Sequence, residues 1–461
     1  MPREQADLVV VGASVGGLAA AAIAANRGLK VFVLERAKEL GGGAAPEAEP
    51  IAAAGSRFQG AAGLDDGPDR LTDDILAATR HHVDVAVTAA VAAQGAPLVA
   101  WLADRCGVAV ELIRTPAPGH STARLHLPGE RGGETLVAAL VRAATRHPRV
   151  TARTGALVER LVRDETGAVR GVGLKPDRRG GVHEVMGAVL LACGGFAADD
   201  VRVAEHAPEV AALPHHGFPG AAGEGLRLGA EAGARTERLS AFRVTPFLAM
   251  PGAHVVRAPL VAGGAILVNQ GGRRFADETG EALRLATAVL AQPGRVAYLL
   301  FDERIANDAR AADPHFARVV LPRVGRRALS LKDLARQFEL DLDALALSVD
   351  TWNANTDLGG DPFGRTEGGG RLEAPFHAIR VTGARWRSLG GLAVDARARV
   401  LDADGRPIPG LYAAGGAAAG LGGTGCAGAL DGLDALAALG LGRLAALDVI
   451  AAVSSDGDEG R

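Results

Sequence analysis

The sequence predicts an α/β fold that opens on a strand–helix–strand unit, and three observations predict it. A short apolar run at residues 7–11 ends in a glycine-rich turn. An alanine-rich stretch follows, and then a second apolar run that stops at an acid. The 63 glycines lie in clusters, not in a collagen-like period, so they mark places where backbone turns sharply or approaches a ligand closely.

Asp7-Leu-Val-Val-Val11 has the pattern of a strand buried on both faces. It runs into Gly12-Ala-Ser14-Val-Gly16-Gly17, after which residues 18–27 read as a helix stopped by Gly28. Residues 30–34 form the second strand, with Glu35 at its carboxyl end. Each part has a physical job. Gly12 permits the tight turn, and a small residue at Ser14 lets backbone approach a pyrophosphate. Gly17 lets the helix pack close to the strand. The helix start offers free N–H groups and a positive dipole end to phosphates. Glu35 is spaced to accept hydrogen bonds from a ribose diol. This is a Rossmann-like dinucleotide-binding unit, with Gly12, Ser14, Gly16, Gly17 and Glu35 as candidate contacts. Ser14 stands where the fingerprint prefers glycine.

Composition narrows the class. At 461 residues the chain is long enough for two or three domains, and 48% hydrophobic with 22% charged residues is ordinary for a globular enzyme. A net charge of −3 without a long Lys/Arg run gives no footprint for nucleic acid. Three widely spaced cysteines argue against a disulfide framework and against a metal site, and fit a reducing compartment. The polar start carries no signal-peptide core, and no apolar run reaches the ~20 residues that span a bilayer. The expectation is a cytoplasmic protein with no membrane span.

Three later features favour FAD over NAD as the dinucleotide. Glu35-Arg36 is followed by Gly41-Gly42-Gly43, a loop suited to pass under a pyrophosphate. Near the far end, residues 405–416 read as a turn, a buried strand and a second glycine opening at Gly415 and Gly416. Residues 420–425 then lead into a helical stretch up to Arg443. A distant glycine site returning to an N-terminal dinucleotide fold suggests a long ligand gripped from both ends of the chain.

These markers resemble the fumarate reductase/succinate dehydrogenase flavoprotein superfamily, which includes the 3-ketosteroid dehydrogenases. The resemblance covers nearly the whole chain. It rests on residues 7–35, the run Gly119-His-Ser-Thr-Ala-Arg124-Leu-His126, and residues 189–196, 220–226, 266–278, 389–391 and 410–415, in that order. It implies an α/β, Rossmann-like FAD-binding domain of the glutathione-reductase type with an inserted α+β capping domain. The expected boundaries are 1–239 for the first part of the FAD domain, 240–387 for the cap and 388–461 for its return. Residues 331–338 and 341–353 read as cap helices, and the cleft between domains is the expected substrate site. The strand-rich stretch 153–191, turning at Glu165-Thr166-Gly167, would supply a backbone adenine contact at Val158. Further implied FAD contacts are Arg36, Gly42, Gly43, Ala192, Cys193, Gly194, Glu224, Gly415, Gly416, Gly432 and Leu433. No histidine stands where covalent attachment requires one, so the FAD is expected to be non-covalent.

The catalytic set of the fumarate reductases is missing. Their proton-donor arginine falls on Val261, substrate histidines fall on Thr245 and Arg387, and the C-terminal substrate arginine falls on or near Cys426. A family acid that binds the ribityl hydroxyls is replaced by Gly416. Ketosteroid dehydrogenase tyrosines are absent too, since the chain has two tyrosines and Tyr412 belongs to the flavin strand. Candidates left near the expected flavin face are Arg387 first, then Arg243, Arg257, Trp386 and Cys426. His120 and His126, flanking Arg124, are expected to order a loop. The expected reaction is dehydrogenation or ene reduction of a C–C bond beside a carbonyl in a non-dicarboxylate, ketone-like or polycyclic small molecule. The electron partner is unspecified. Alternatives are a flavin monooxygenase and a flavin-binding protein with decayed chemistry.

Overall fold

The computed structural model describes residues 3–41, 50–129, 132–175, 183–252, 254–256, 259–366, 368–426 and 428–458. The chain divides into two compact units. The first comprises residues 1–208, 217–243 and 387–461, and the second residues 209–216 and 244–386.

The first unit is built on a twisted, largely parallel sheet. Its elements are β1 (Arg3–Val11), α1 (Val15–Asn26), β2 (Val31–Leu34), α2 (Gly133–Thr145), β3 (Val150–Arg153), β4 (Val158–Arg163), β5 (Val169–Leu174), β6 (Glu184–Leu191), α3 (Glu224–Glu231), β7 (Arg399–Leu401), β8 (Pro407–Ala413) and α4 (Leu433–Asp458). Strand order is β7–β8–β6–β1–β2–β3, with β5 also on β6 and β4 on β5. The pairs β1–β2, β1–β6, β6–β8 and β2–β3 are parallel, so N- and C-terminal strands share one sheet. Leu8 to Val11 and Val31 to Leu34 are all buried, as runs covered on both faces must be.

The strand-rich stretch folds as the antiparallel pair β4–β5. Its turn is fixed by Asp164, which accepts from Thr166 N and Ala168 N, and by Gly167 at φ +86°.

The C-terminal helix runs much further than Arg443. The hydroxyls of Ser454 and Ser455 donate to the carbonyls of Ile450 and Ala451, and the helix continues to Asp458. The expectation that no apolar stretch is long enough to span a bilayer also needs correction. Two helical stretches, Val85–Cys106 and Leu433–Ser455, pass that test by length and composition. Half of each apolar window is buried inside the protein. In α4 the cause is close packing: Ala438 and Gly442 press against Gly16 of α1, where no side chain fits.

The second unit has its own sheet, in the order 254–255, 242–249, 376–388, 297–302 and 266–268, with 326–328 also on 376–388. The two expected helices are present as Leu331–Phe338 and Leu342–Leu358, the second capped by Asp341, which accepts from Ala344 N. The core of this unit holds Phe301, Leu334, Leu345 and Trp352. Beside Trp352 a buried charge network satisfies Glu278 with Arg274, Arg365 and the Leu267 N–H.

Candidate functional site

The site is assembled where β1 ends. Gly12 has φ +97°, and a Cβ there would stand 2.5 Å from the Ala192 carbonyl oxygen. Only glycine permits both the turn and this approach of β1 to the end of β6. Ser14 caps α1 and accepts from Gly17 N at 3.4 Å. Gly17 lies against the Gly12 carbonyl and Val10, so helix and strand touch as their spacing predicts. Gly16 faces Ala438 of α4 instead.

Glu35 is held by backbone on both oxygens: Oε2 accepts from Ala13 N at 2.9 Å and Oε1 from Ala37 N at 2.8 Å. That fixes the carboxylate beside the α1 start while leaving each oxygen a further lone pair. Arg36 donates to the Gly220 carbonyl and forms an ion pair with Glu224, the first residue of α3. The other oxygen of Glu224 is buried without a hydrogen-bond partner, an acceptor waiting for a donor.

A cleft of about 630 Å³ joins these groups. It is lined by Gly12, Ser14, Glu35, Arg36, Val158, Ala192, Cys193, Gly194 and Glu224, all expected from the sequence. Gly220, from the run at residues 220–226, lines it too, as do Phe218 and Leu228, which carried no recognisable sequence signal. Helix start, fixed acid, glycine-walled floor and orphaned acceptor together fit the adenosine and pyrophosphate half of an extended dinucleotide. Burial, with the Glu224 carboxylate next, pushes the Cys193 thiol up to about 12. Gly42 and Gly43 lie outside the described residues.

The wall continues from Cys193 towards the C-terminal glycines. Ser388 Oγ accepts from Phe196 N at 3.0 Å and sits directly over Gly195. A Cβ at Gly416 would stand 2.6 Å from Gly195 N, so the acid found here in the resembled family has no room. Gly415 has φ +62°. Gly432, at φ +80°, opens α4 just before Leu433, and its carbonyl accepts from Ala52 N.

Beside that helix start, Arg243 and Arg387 come together with two carboxylates the sequence reading missed. Arg243 Nη2 lies 2.5 Å from Asp431 Oδ1 and its Nη1 3.5 Å from Asp434 Oδ2. Arg387 Nη1 is 3.9 Å from the same Asp434 oxygen. His120 Nε2 bonds the Asp431 carbonyl, and burial pushes its pKa down.

Other candidates are placed differently. Cys426 is half-buried, and the preceding Gly425 carbonyl accepts from Phe242 N. Trp386 packs in the second unit with Leu248 and Ala384. Arg257 lies outside the described residues. Arg124 is fully buried between Asp66 and Asp74. His126 bonds Ser56, with its pKa pushed by burial to about 4. Tyr412 donates to Asp448 on α4. Among the described residues no cluster could hold a metal ion.

Residues 7–429 match the FAD binding domain family. The chain is 29% identical over 420 residues to the NADH:fumarate oxidoreductase of Klebsiella pneumoniae (strain 342), covering 90% of this chain and 44% of that protein. It therefore spans less than half the length of that relative. It is 30% identical over 428 residues to the fumarate reductase (cytochrome) of Shewanella frigidimarina, covering 91% of this chain and 73% of that one. Among solved structures, an open conformation of a flavocytochrome c3 fumarate reductase aligns with a TM-score of 0.81 at 25% identity, over 98% of this chain and 79% of that chain. The 3-ketosteroid-Δ4-(5α)-dehydrogenase from Rhodococcus jostii RHA1, in complex with 4-androstene-3,17-dione, aligns with a TM-score of 0.71 at 27% identity over 97% of both chains. With the glycine cleft, the fixed Glu35 and this match across nearly its whole length, the chain belongs to the FAD binding domain family, within the fumarate reductase group of flavoproteins, and FAD is its cofactor.

Proposed function

We propose that this chain is a dehydrogenase or ene-reductase that uses FAD on a C–C bond next to the carbonyl of a neutral, ketone-like substrate. The observation that carries the reading is the state of Arg243 and Arg387, each already paired with aspartate. A buried dicarboxylate needs uncompensated cations, and without them its desolvation is costly. The family positions that would otherwise add donors hold Thr245, Val261 and Cys426. The similarity to a ketosteroid dehydrogenase along the full length of both chains supports a ketone.

FAD, when bound, supplies two-electron exchange with a substrate carbon. The chain's own share is orientation and charge. Arg387 donates an N–H to the carbonyl oxygen as negative charge grows there. Arg243 and Asp431 hold the start of α4, and Cys426 stands a few residues before it. The Cys193 thiol, pushed to about 12, stays protonated and is no nucleophile towards the cofactor, which supports non-covalent binding.

The test is anaerobic turnover of the FAD-loaded protein. Saturated ketones are offered with an artificial acceptor, and cyclic enones and fumarate with a reduced dye. Turnover of a ketone or enone and none of fumarate is expected. Fumarate reduction that outpaces every ketone and enone would overturn the reading.

A further inference from the structure

The geometry points to Asp434, with Asp431, as the specificity-determining pair that closes this site to dianionic substrates. The inference rests on the neutral-ketone reading and deepens it by naming residues of this chain that enforce it.

Two guanidinium groups at the mouth of a flavin site are a natural trap for carboxylates, since each presents a planar fork of donors. Here both lie within ion-pair distance of an aspartate. Asp434 Oδ2 lies between Arg243 Nη1, at 3.5 Å, and Arg387 Nη1, at 3.9 Å. Asp431 takes the other end of Arg243 at 2.5 Å. The Asp434 side chain keeps 11% of its exposure and that of Asp431 26%, so solvent screens the first less than the second. Two carboxylates and two guanidinium groups cancel in formal charge. An incoming dicarboxylate would meet Asp434 at the position its own oxygens require, and like charges at that range cost several kcal/mol.

The placement is built into the fold. Asp431 and Asp434 flank Gly432, whose φ of +80° turns the chain into α4, and Asp434 lies in the first helical turn, where a carboxylate suits the dipole. Arg387 is anchored through its neighbour Ser388, whose Oγ accepts from Phe196 N beside the glycine wall of the cleft. A neutral carbonyl needs only one N–H from Arg387 and leaves the pairs intact.

The experiment titrates malonate into FAD-loaded wild type, Asp434→Asn and Asp434→Asn/Arg387→Gln. Binding is read by calorimetry and by the flavin absorbance band. Wild type should show no saturable binding. Asp434→Asn should bind at least about tenfold tighter, with a gain that shrinks as salt rises, and the double variant should lose the gain. Asp431→Asn carries the same expectation and serves if Asp434→Asn does not retain FAD. The inference is overturned if neither single variant binds malonate more tightly than wild type, or if the gain survives removal of the Arg387 charge. Failure of the neutral-ketone reading would show separately, as fumarate turnover by the wild type.

Discussion

Arg387 and Arg243 share one carboxylate oxygen of Asp434, at 3.9 and 3.5 Å. Arg243 and Arg387 are far apart in sequence, and Asp434 opens the C-terminal helix, so three distant parts of the chain meet at one charge-balanced point. Removing Asp434 takes away the carboxylate that both arginines share and leaves Arg243 its pair with Asp431.

Gly12→Val tests the cofactor cleft. The side chain would need φ near +97° and would collide with the Ala192 carbonyl, so the turn must distort. A loss of about 2 kcal/mol of stability and most of the bound flavin is expected. The flavin-to-protein ratio and the thermal midpoint measure the two effects.

Glu35→Gln keeps the shape of the side chain but exchanges one acceptor for a donor, in conflict with either Ala13 N or Ala37 N. FAD affinity should fall by about tenfold or more with a modest change in stability. Flavin fluorescence titration of the apoprotein measures it.

Gly416→Asp would restore the acid found in the resembled family. Because its Cβ would stand 2.6 Å from Gly195 N, the variant should bind FAD more weakly than wild type. Tighter binding in the same titration would contradict the steric account.

Acid stability should depend on Glu303 in the second unit. Hydrogen bonds from Arg327, then Arg310 and His377, hold its carboxyl down at about 2, against an ordinary 4.5. Its folded pKa is depressed, so its contribution is complete above about 4.5 and is lost as pH falls towards about 2. Glu303→Gln should be less stable than wild type by ~1–2 kcal/mol at neutral pH, with a difference that narrows below about 4.5. Denaturant unfolding at several pH values measures this.

Local signals made the first unit legible. Gly12, Ser14, Gly17 and Glu35 act through turn, cap and spacing within one strand–helix–strand unit, and the cleft gathers Gly12, Ser14 and Glu35 where that spacing predicts. Gly16 has a different neighbour: it receives Ala438, a contact set by helix packing across most of the chain. The aspartate counter-ions were hidden for the same reason, since Arg243 and Asp431 are 188 positions apart. An acid in an alanine-rich helix start is common, and nothing local announces its partner. The long apolar helices were missed because scattered polar residues such as Gln94 break the run in sequence, although the helix is apolar enough over its length.

The most direct test follows re-oxidation of photoreduced protein without oxygen, with a cyclic enone and fumarate offered separately at equal concentration. The oxidised flavin band is expected to return with the enone and to stay absent with fumarate. Rapid return with fumarate, and none with any enone, would contradict the neutral-ketone reading.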